Sequence, residues 1–207
     1  MTQQGFYFDN ARCTGCRTCE MACKDYKDLE TAISFRHVYD YEGGEWVQEA
    51  DSGYRQDSFV YHVSISCQHC DHPACVGVCP THAMHKDGET GLVSVDASRC
   101  VGCGYCVMAC PYDAPTVDRE KGHSVKCDGC ADRVAEGLQP ICVQACPLRA
   151  LDFGDIAALR SDHEGVDAIA PMPQGSYTSP NIVIKTSPDA READDASGFI
   201  ANALEVF

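Results

Sequence analysis

Two stretches of the chain decide its fold: Arg12–Cys23 (RCTGCRTCEMAC) and Arg99–Cys110 (RCVGCGYCVMAC). They lie 87 positions apart, and every cysteine of one matches a cysteine of the other. A second pair of similar stretches, Pro73–Ala83 (PACVGVCPTHA) and Pro140–Ala150 (PICVQACPLRA), is offset by 67 positions. The two kinds of stretch alternate along the chain, which indicates an internally duplicated unit.

Sixteen cysteines among 207 residues fall into four groups of four, with none left over. The groups are Cys13, Cys16, Cys19 and Cys23; Cys67, Cys70, Cys75 and Cys79; Cys100, Cys103, Cys106 and Cys110; and Cys127, Cys130, Cys142 and Cys146. The first and third have the spacing C-x2-C-x2-C-x3-C, which is typical of two-cluster ferredoxins, where three thiolates bind one [4Fe–4S] cube and the fourth binds its neighbour. The cysteines therefore predict four [4Fe–4S] clusters as cofactors, with iron as the metal.

Zinc and disulfides are the alternatives to iron. Structural zinc sites also use C-x2-C pairs, usually with a long loop between two pairs. The fourth group alone fits that pattern, because eleven residues separate its halves, whereas four cysteines within eleven residues, as in the first and third groups, do not. A disulfide framework is disfavoured because Met1–Asn10 lacks the basic and apolar segments of a secretory signal.

The connectors indicate which groups pair. Ala83–Asp96 predicts a β-hairpin that joins the second and third groups, with a polar turn between apolar ends. Tyr112–Lys126 has no predicted strand pair, so the strand predicted at Ala150–Phe153 needs a distant partner, and Phe6–Phe8 is the one strand still unassigned. Their pairing closes the first and fourth groups into a second unit, with the other unit inserted inside it.

The rule of three thiolates from one motif and one from the partner motif predicts each ligand set. Cluster 1 takes Cys13, Cys16, Cys19 and Cys146; cluster 2 takes Cys23, Cys127, Cys130 and Cys142; cluster 3 takes Cys67, Cys70, Cys75 and Cys110; and cluster 4 takes Cys79, Cys100, Cys103 and Cys106. The order of the clusters across the two units stays open at this point.

The predicted fold class is α+β, with two interlocked ferredoxin-like domains for two [4Fe–4S] clusters each, one inserted in the other. The outer domain is predicted over residues 1–55 plus 114–155, with a β insertion near 33–55, and the inserted domain over 56–113. The insertion rests on apolar residues that alternate before Gly43 and again before Cys67.

An extended tail is predicted over residues 156–207, with a short helix at Ile156–Leu159. Part of the tail has a composition typical of disorder, but Asn181–Lys185 and Phe199–Phe207 are apolar enough to dock. Our hypothesis is that the tail wraps a partner subunit. The alternative is a partly disordered extension.

Charge and motif content narrow the class of protein. Asp and Glu number 31 against 16 Lys and Arg, and the net charge of −15 argues against nucleic-acid binding. No apolar run approaches the roughly 18 residues of a membrane span, so no direct span is predicted. The common catalytic and nucleotide-binding motifs do not occur. The chain is therefore expected to carry electrons between other sites rather than to catalyse a reaction alone.

Positive charges concentrate near the cysteines. The cationic side chains within four residues of a cysteine are Arg12, Arg17, Lys24, Lys27, Arg99, Lys126, Arg133 and Arg149. Nearby positive charge raises cluster potentials, so these residues are candidate tuning groups, with solvated surface cations as the alternative. His69 and His72 are candidate hydrogen-bond donors near the clusters, not iron ligands, because the cysteines already supply all four sites.

The residues around the cysteines resemble a known family. Arg12–Leu29 (RCTGCRTCEMACKDYKDL), Ser66–Lys86 (SCQHCDHPACVGVCPTHAMHK), Lys126–Gly137 (KCDGCADRVAEG) and Pro140–Phe153 (PICVQACPLRALDF) resemble the iron–sulfur B subunits of dimethyl sulfoxide reductases, as does PNIVIK in the tail. In the related nitrate reductase subunit a tryptophan replaces the second cysteine of the third motif and gives a three-iron cluster. That position is Cys103 here, so the resemblance implies four-iron clusters throughout.

The resemblance also implies partners. Such subunits carry electrons for anaerobic respiration from a quinol-oxidising integral membrane anchor to a large catalytic subunit that holds molybdopterin (bis-guanine dinucleotide). Folding in the cytoplasm and membrane association through the partners are expected, with the final side of the membrane left open. The alternatives are an electron-transfer subunit of a hydrogenase or formate dehydrogenase complex and, from another class, a zinc-stabilised interaction module.

Overall fold

The computed structural model describes residues 2–206, in which short strands and short helices alternate. The strands are β1 Gln4–Asp9, β2 Arg36–Gly43, β3 Trp46–Gln48, β4 Tyr54–Gln56, β5 Phe59–Ser66, β6 Met84–Lys86, β7 Val93–Val95, β8 Thr116–Asp118, β9 His123–Val125, β10 Leu151–Asp155, β11 Ile182–Lys185 and β12 Gly198–Ile200. The helices are α1 Thr18–Tyr26, α2 Ala74–Gly77, α3 Tyr105–Ala109, α4 Ala131–Ala135, α5 Ile141–Ala145, α6 Ile156–Asp162 and α7 Ala203–Val206. Met1 and Phe207 lie outside the described residues. Met1 begins the predicted range 1–55, and Phe207 ends both the predicted range 156–207 and the predicted docking segment Phe199–Phe207.

Strand β1 is the centre of a three-stranded sheet with the order β10-β1-β11. It pairs antiparallel with β10, with Phe6 opposite Phe153, and parallel with β11, with Phe8 opposite Ile184. The rings of Phe6 and Phe153 lie 4.8 Å apart. Because Phe6, Tyr7 and Phe8 are all buried, both faces of β1 are covered, and a strand of this kind needs neighbours on both edges. The predicted pairing of Phe6–Phe8 with Ala150–Phe153 is confirmed.

The predicted insertion forms the longest ladder. All eight residues of β2 pair antiparallel with β5, from Arg36 opposite Ser66 to Gly43 opposite Phe59, and β12 pairs with the other edge of β2. Cross-strand aromatic rings stabilise it, with Tyr41 and Tyr61 5.5 Å apart. The strands predicted from the alternation before Gly43 and before Cys67 are confirmed, and their ladder spans the predicted domain boundary between residues 55 and 56.

Two further hairpins lie beside the cysteines. The hairpin β6–β7 lies where Ala83–Asp96 predicted one, and that prediction is confirmed. The expectation that Tyr112–Lys126 lacks a strand pair is wrong, because β8 pairs with β9 there. The Asp118 carboxylate accepts the backbone N–H groups of Glu120 and Lys121 and so closes the turn. Three-residue strands give too little alternation for this hairpin to be recognised from sequence.

The tail folds back on its own chain. Ile182, Val183 and Ile184 of β11 are buried against β1 and its surroundings, and Arg191 lies over the ring of Phe59 at 4.0 Å. The helix predicted at Ile156–Leu159 is confirmed as part of α6. The apolar side chains of the first predicted docking segment are therefore used within the chain. Partner docking by the tail stays a prediction for its exposed side chains, such as Phe199 and Leu204. None of the helices described is long and apolar enough to cross a membrane.

The buried tail strand leads to a stability prediction. Ile184→Ala removes a side chain that is 0 % exposed, and we expect it to lower the free energy of unfolding by about 2–5 kcal/mol. The matched control is Leu204→Ala, because Leu204 is 99 % exposed, and we expect it to change this free energy by no more than about 0.5 kcal/mol. Anaerobic urea unfolding followed by circular dichroism measures both. Equal effects of the two variants would contradict an integral tail strand.

Candidate metal centres

Left-handed backbone turns shape the cysteine loops. Gly15 (φ 66°) and Arg17 (φ 58°) lie between the first three cysteines of the first group, and Gly102 (φ 66°) and Gly104 (φ 78°) take the matching positions in the third. A Cβ atom at Gly102 would lie 2.7 Å from the carbonyl oxygen of Gly122, so a larger residue does not fit there. The chain then enters α1 or α3, whose helical turn separates the last cysteine from the other three.

Two cavities gather cysteines from the second and third groups. One is lined by Cys67, Cys70, Cys75 and Cys110, and the other by Cys79, Cys100, Cys103 and Cys106. Each cavity thus combines three cysteines of one motif with the last cysteine of the other. These are the two combinations predicted for clusters 3 and 4.

The cysteines of the first and fourth groups interact in the same crossed manner. The pKa of Cys13 is raised to about 11, mainly by burial and further by the thiols of Cys19, Cys146 and Cys16. The pKa of Cys23 is raised to about 12, mainly by burial and further by Cys142 and Cys130. Cys19 and Cys146 lie in one buried cluster of side chains, with Cys13 packed against it, and Cys23 and Cys127 lie in another. The structure therefore brings the last cysteine of each group to the other group.

Cluster 2 has a neighbour outside its own pair of motifs. Burial raises the pKa of Cys127 well above its usual value, and the next contributions come from Cys67 and Cys23. Cys67 lines the cavity predicted for cluster 3, so the cysteines for clusters 2 and 3 lie next to each other. Cys16 of the first group and Cys103 of the third are exposed.

The four groups offer thiol sulfurs, which are the donor atoms that a cube requires. Within residues 2–206, no three Cys, His, Asp or Glu side chains lie close enough together to hold a single metal ion. A zinc ion would draw four thiolates to about 2.3 Å from one centre. The four thiolates around a cube each bind a different iron atom and lie farther apart. The donor set fits [4Fe–4S] clusters.

Two buried cations provide a second test of that fit. Arg36 and Lys126 are 2 % and 5 % exposed, and neither forms an ion pair with a carboxylate among the described residues. An uncompensated buried cation is strongly destabilising. A thiolate-bound cube carries a charge of about −2 and would supply the missing negative charge. These residues therefore fit clusters better than neutral thiols.

Arg36 is a functional candidate that sequence reasoning missed. Its guanidinium donates to the backbone oxygen of Ser64 at 3.2 Å and to the hydroxyl of Ser66 at 2.8 Å, while Nε has no partner among the described residues. Its charge acts on Cys19 of the first group and Cys142 of the fourth. Arg36 is more than four residues from any cysteine in sequence, so proximity along the chain could not identify it.

The structure separates the eight predicted tuning cations. Lys126 donates to the sulfur of Cys67 at 3.4 Å. The other seven bind carboxylates, side-chain oxygens or backbone carbonyls in the described part of the chain: Arg12, Arg17, Lys24, Lys27, Arg99, Arg133 and Arg149. Lys27, for example, pairs with Asp128 at 3.0 Å. Lys126 is therefore the strongest of the eight candidates.

The two histidines differ as well. His69 is fully buried, and its Nε2 lies 4.0 Å from the sulfur of Cys127. Burial, with the charges of Lys126 and Lys86, lowers the pKa of His69 well below its usual value, so the ring is neutral. His72 is exposed and contacts the hydroxyl of Ser179 at 3.3 Å. Only His69 meets the expectation of a donor near a cysteine sulfur.

Backbone amides also point at cysteine sulfurs. N–H groups of Met84, Gly129 and Ala150 donate to Cys79, Cys127 and Cys146 at 3.3–3.4 Å. Ser124, in the hairpin that sequence reasoning missed, donates its N–H to Cys100 at 3.3 Å. Such bonds stabilise negative charge on the sulfurs and raise the potential of a bound cluster.

Four groups of cysteines, most of them buried, with buried cations and N–H donors near them, define an iron–sulfur electron carrier of the ferredoxin type. Residues 58–156 match the family described as a 4Fe-4S dicluster domain. The sequence is 57 % identical over 205 residues to the B subunit of the anaerobic dimethyl sulfoxide reductase of Escherichia coli (strain K12), with 99 % of each protein covered.

Two further relatives extend the comparison. The B subunit of the anaerobic dimethyl sulfoxide reductase of Haemophilus influenzae (strain ATCC 51907 / DSM 11121 / KW20 / Rd) is 56 % identical over 206 residues, with 100 % of both proteins covered. The thiosulfate reductase electron transfer subunit PhsB of Salmonella typhi is 41 % identical over 147 residues, which is 70 % of this chain and 72 % of the relative. The protein belongs to the family of anaerobic dimethyl sulfoxide reductase B subunits. It is an iron–sulfur protein with four [4Fe–4S] clusters, and its sequence has sixteen cysteines.

Arg36 gives a prediction about cluster retention. Arg36→Met removes the buried positive charge beside two cysteine groups, and we expect iron to leave the reduced protein at least ~10-fold faster, because the cluster charge loses its compensation. The measurement is the anaerobic rate of iron release to a ferrous chelator. Arg55→Met is the control, since the Arg55 side chain is 60 % exposed, and it should match the wild type. An unchanged rate in Arg36→Met would show that the cation does not hold the clusters.

Proposed function

We propose the ligand sets as predicted from the spacing, in the linear order cluster 1, cluster 2, cluster 3, cluster 4. The crossed cavities of the second and third groups support sets 3 and 4. The packing of Cys13 and Cys19 with Cys146, and of Cys23 with Cys127, supports sets 1 and 2. The proximity of Cys67 to Cys127 supports the order across the middle.

We further propose that the fold consists of two interlocked ferredoxin-like units, one inserted in the other. The β1–β10 pairing supports an outer unit, and the β6–β7 hairpin supports an inner one. Because the β2–β5 ladder spans residue 55, the inserted unit is proposed to begin after Ser66 rather than at residue 56. The outer unit then comprises the chain up to Ser66 and residues 114–155, joined by the tail strand β11.

The chain is an electron-transfer subunit, and its proposed task is to relay electrons from a quinol-oxidising membrane anchor to a molybdopterin catalytic subunit. Each bound cluster accepts and gives up one electron. The protein buries all but Cys110 of the cysteines proposed for the two inner clusters, and it exposes one cysteine, Cys16 or Cys103, at each end of the proposed series. The observation that carries the proposal is this pair of exposed ends, because electrons enter and leave most readily where a cluster lies near the surface.

The partners proposed by family membership are a large subunit with molybdopterin (bis-guanine dinucleotide) and an integral membrane anchor. We propose that the chain folds in the cytoplasm, where clusters are inserted, and that the partners determine its final side of the membrane. The relatives named for dimethyl sulfoxide and thiosulfate reductases favour a sulfur oxide or oxyanion as terminal acceptor. A hydrogenase or formate dehydrogenase complex is the second candidate.

The partner proposal is tested by purifying the tagged chain from its native host under anaerobic conditions. We expect a large molybdenum-containing subunit to co-purify and the complex to reduce dimethyl sulfoxide with a reduced dye as donor. Reduction of thiosulfate instead would keep the electron-transfer role and change the acceptor. Co-purification of a hydrogenase or formate dehydrogenase subunit would replace the proposal.

The ligand sets make a sharper prediction. The wild type should contain about 16 iron atoms per chain and show interacting four-iron signals by electron paramagnetic resonance after reduction. Cys110→Ser should alter the same signal as Cys75→Ser, because both are assigned to cluster 3, and leave the signal altered by Cys106→Ser unchanged. About four zinc ions and no iron, or a three-iron signal in fresh unoxidised wild type, would contradict the assignment.

A further inference from the structure

The junction between clusters 2 and 3 differs from the others in the proposed series. Within each unit, every motif gives its last cysteine to the other motif, and this exchange fixes how the two clusters of that unit lie. Between clusters 2 and 3 no cysteine is exchanged, although Cys67 and Cys127 are neighbours. Other groups must therefore hold the two units together where electrons cross from one to the other.

Lys126 occupies this junction. Its Nζ donates to the sulfur of Cys67 at 3.4 Å, to the carbonyl oxygen of Cys127 at 2.6 Å, and to the carbonyl oxygen of Val93. All three bonds are buried, and Nζ has three protons to give. The ammonium group is thus fully used, and its two cysteine contacts belong to different clusters.

His69 completes the junction from the other side. The backbone N–H of Val93 donates to His69 Nδ1 at 2.9 Å, so Nδ1 carries no proton and the single ring proton lies on Nε2. That proton faces the sulfur of Cys127 at 4.0 Å. Val93 therefore holds Lys126 with its carbonyl and His69 with its amide, and it directs one donor toward each cluster.

We propose that Lys126 is a positioning residue shared by clusters 2 and 3. Together with His69 and the backbone of Val93 it makes the reduction potentials of the two clusters nearly equal, which favours electron transfer between the units. This inference rests on the proposed ligand sets. A positive charge near one cluster alone would favour the electron there and oppose its departure. A charge between both clusters favours the electron about equally on either, so one electron leaves one cluster and enters the next with little change in energy.

The test is a redox titration of the assembled complex followed by electron paramagnetic resonance, with signals assigned by the cysteine variants. In Lys126→Met we expect the signals of clusters 2 and 3 to shift together to lower potential. At a fixed ambient potential the ratio of reduced to oxidised cluster should fall at least ~10-fold for both, about 59 mV for a one-electron couple. The signals of clusters 1 and 4 should not move.

Two further variants separate a charge effect from a structural one. His69→Leu removes the donor to Cys127 alone, so it should lower the potential of cluster 2 and leave cluster 3 unchanged. Lys121→Met removes an exposed lysine that pairs with Asp118, and it should leave all four potentials unchanged. Should Lys126→Met fail to assemble, Lys126→Arg keeps the cation and should keep both potentials, while His69→Leu still tests the junction.

A shift of only one signal in Lys126→Met, or of none, in protein that retains about 16 iron atoms would overturn the proposal. The same would follow if His69→Leu moved clusters 2 and 3 equally. A wild type without four-iron signals would instead overturn the proposed function, so the two failures are distinguishable.

Discussion

The proposed exchange of single cysteines between motifs is the constraint on which the rest of the structure depends. In each of the two cavities lined by the second and third groups, three cysteines come from one motif and the fourth from the other. A motif that lacks its fourth thiolate cannot close a site, so motifs far apart in sequence must meet. The sheet around β1 serves this purpose, because it brings the start of the chain against β10, directly after the fourth cysteine group.

Buried charge is the second consequence of that arrangement. Packing thiolate sites closely together concentrates negative charge in a chain whose surface is already acidic. The buried cations Arg36 and Lys126 offset this negative charge, and each interacts electrostatically with cysteines of two different groups. A hydrophobic core alone could not accept either cation. Burial of these two cations is therefore stable only when the clusters are bound, so folding and cluster binding are coupled.

Much of the site was predictable because metal ligation imposes strict spacing on the sequence. The repeats identified the motifs, and the Ala83–Asp96 connector and the unpaired strand at Ala150–Phe153 led to the observed strand pairings. The β8–β9 hairpin was not predicted, because a turn closed by a carboxylate has no clear hydropathy pattern. Arg36 was not predicted as a candidate, because only the β2–β5 ladder places it near cysteines that are distant in sequence. Interactions that arise only from tertiary packing cannot be predicted from the spacing of cysteines along the chain.

The central position of β1 has a consequence for the order in which the protein matures. This strand is synthesised first, but both of its neighbours, β10 and β11, come from the last third of the chain. The sheet, and with it the proposed site of Cys146 beside the first cysteine group, cannot form until most of the polypeptide has left the ribosome. The cysteines that line the two cavities of the second and third groups, by contrast, all lie between residues 67 and 110. We therefore expect the clusters of the second and third groups to be inserted first during synthesis. The thiols of the first group then remain free and oxidisable for the longest time.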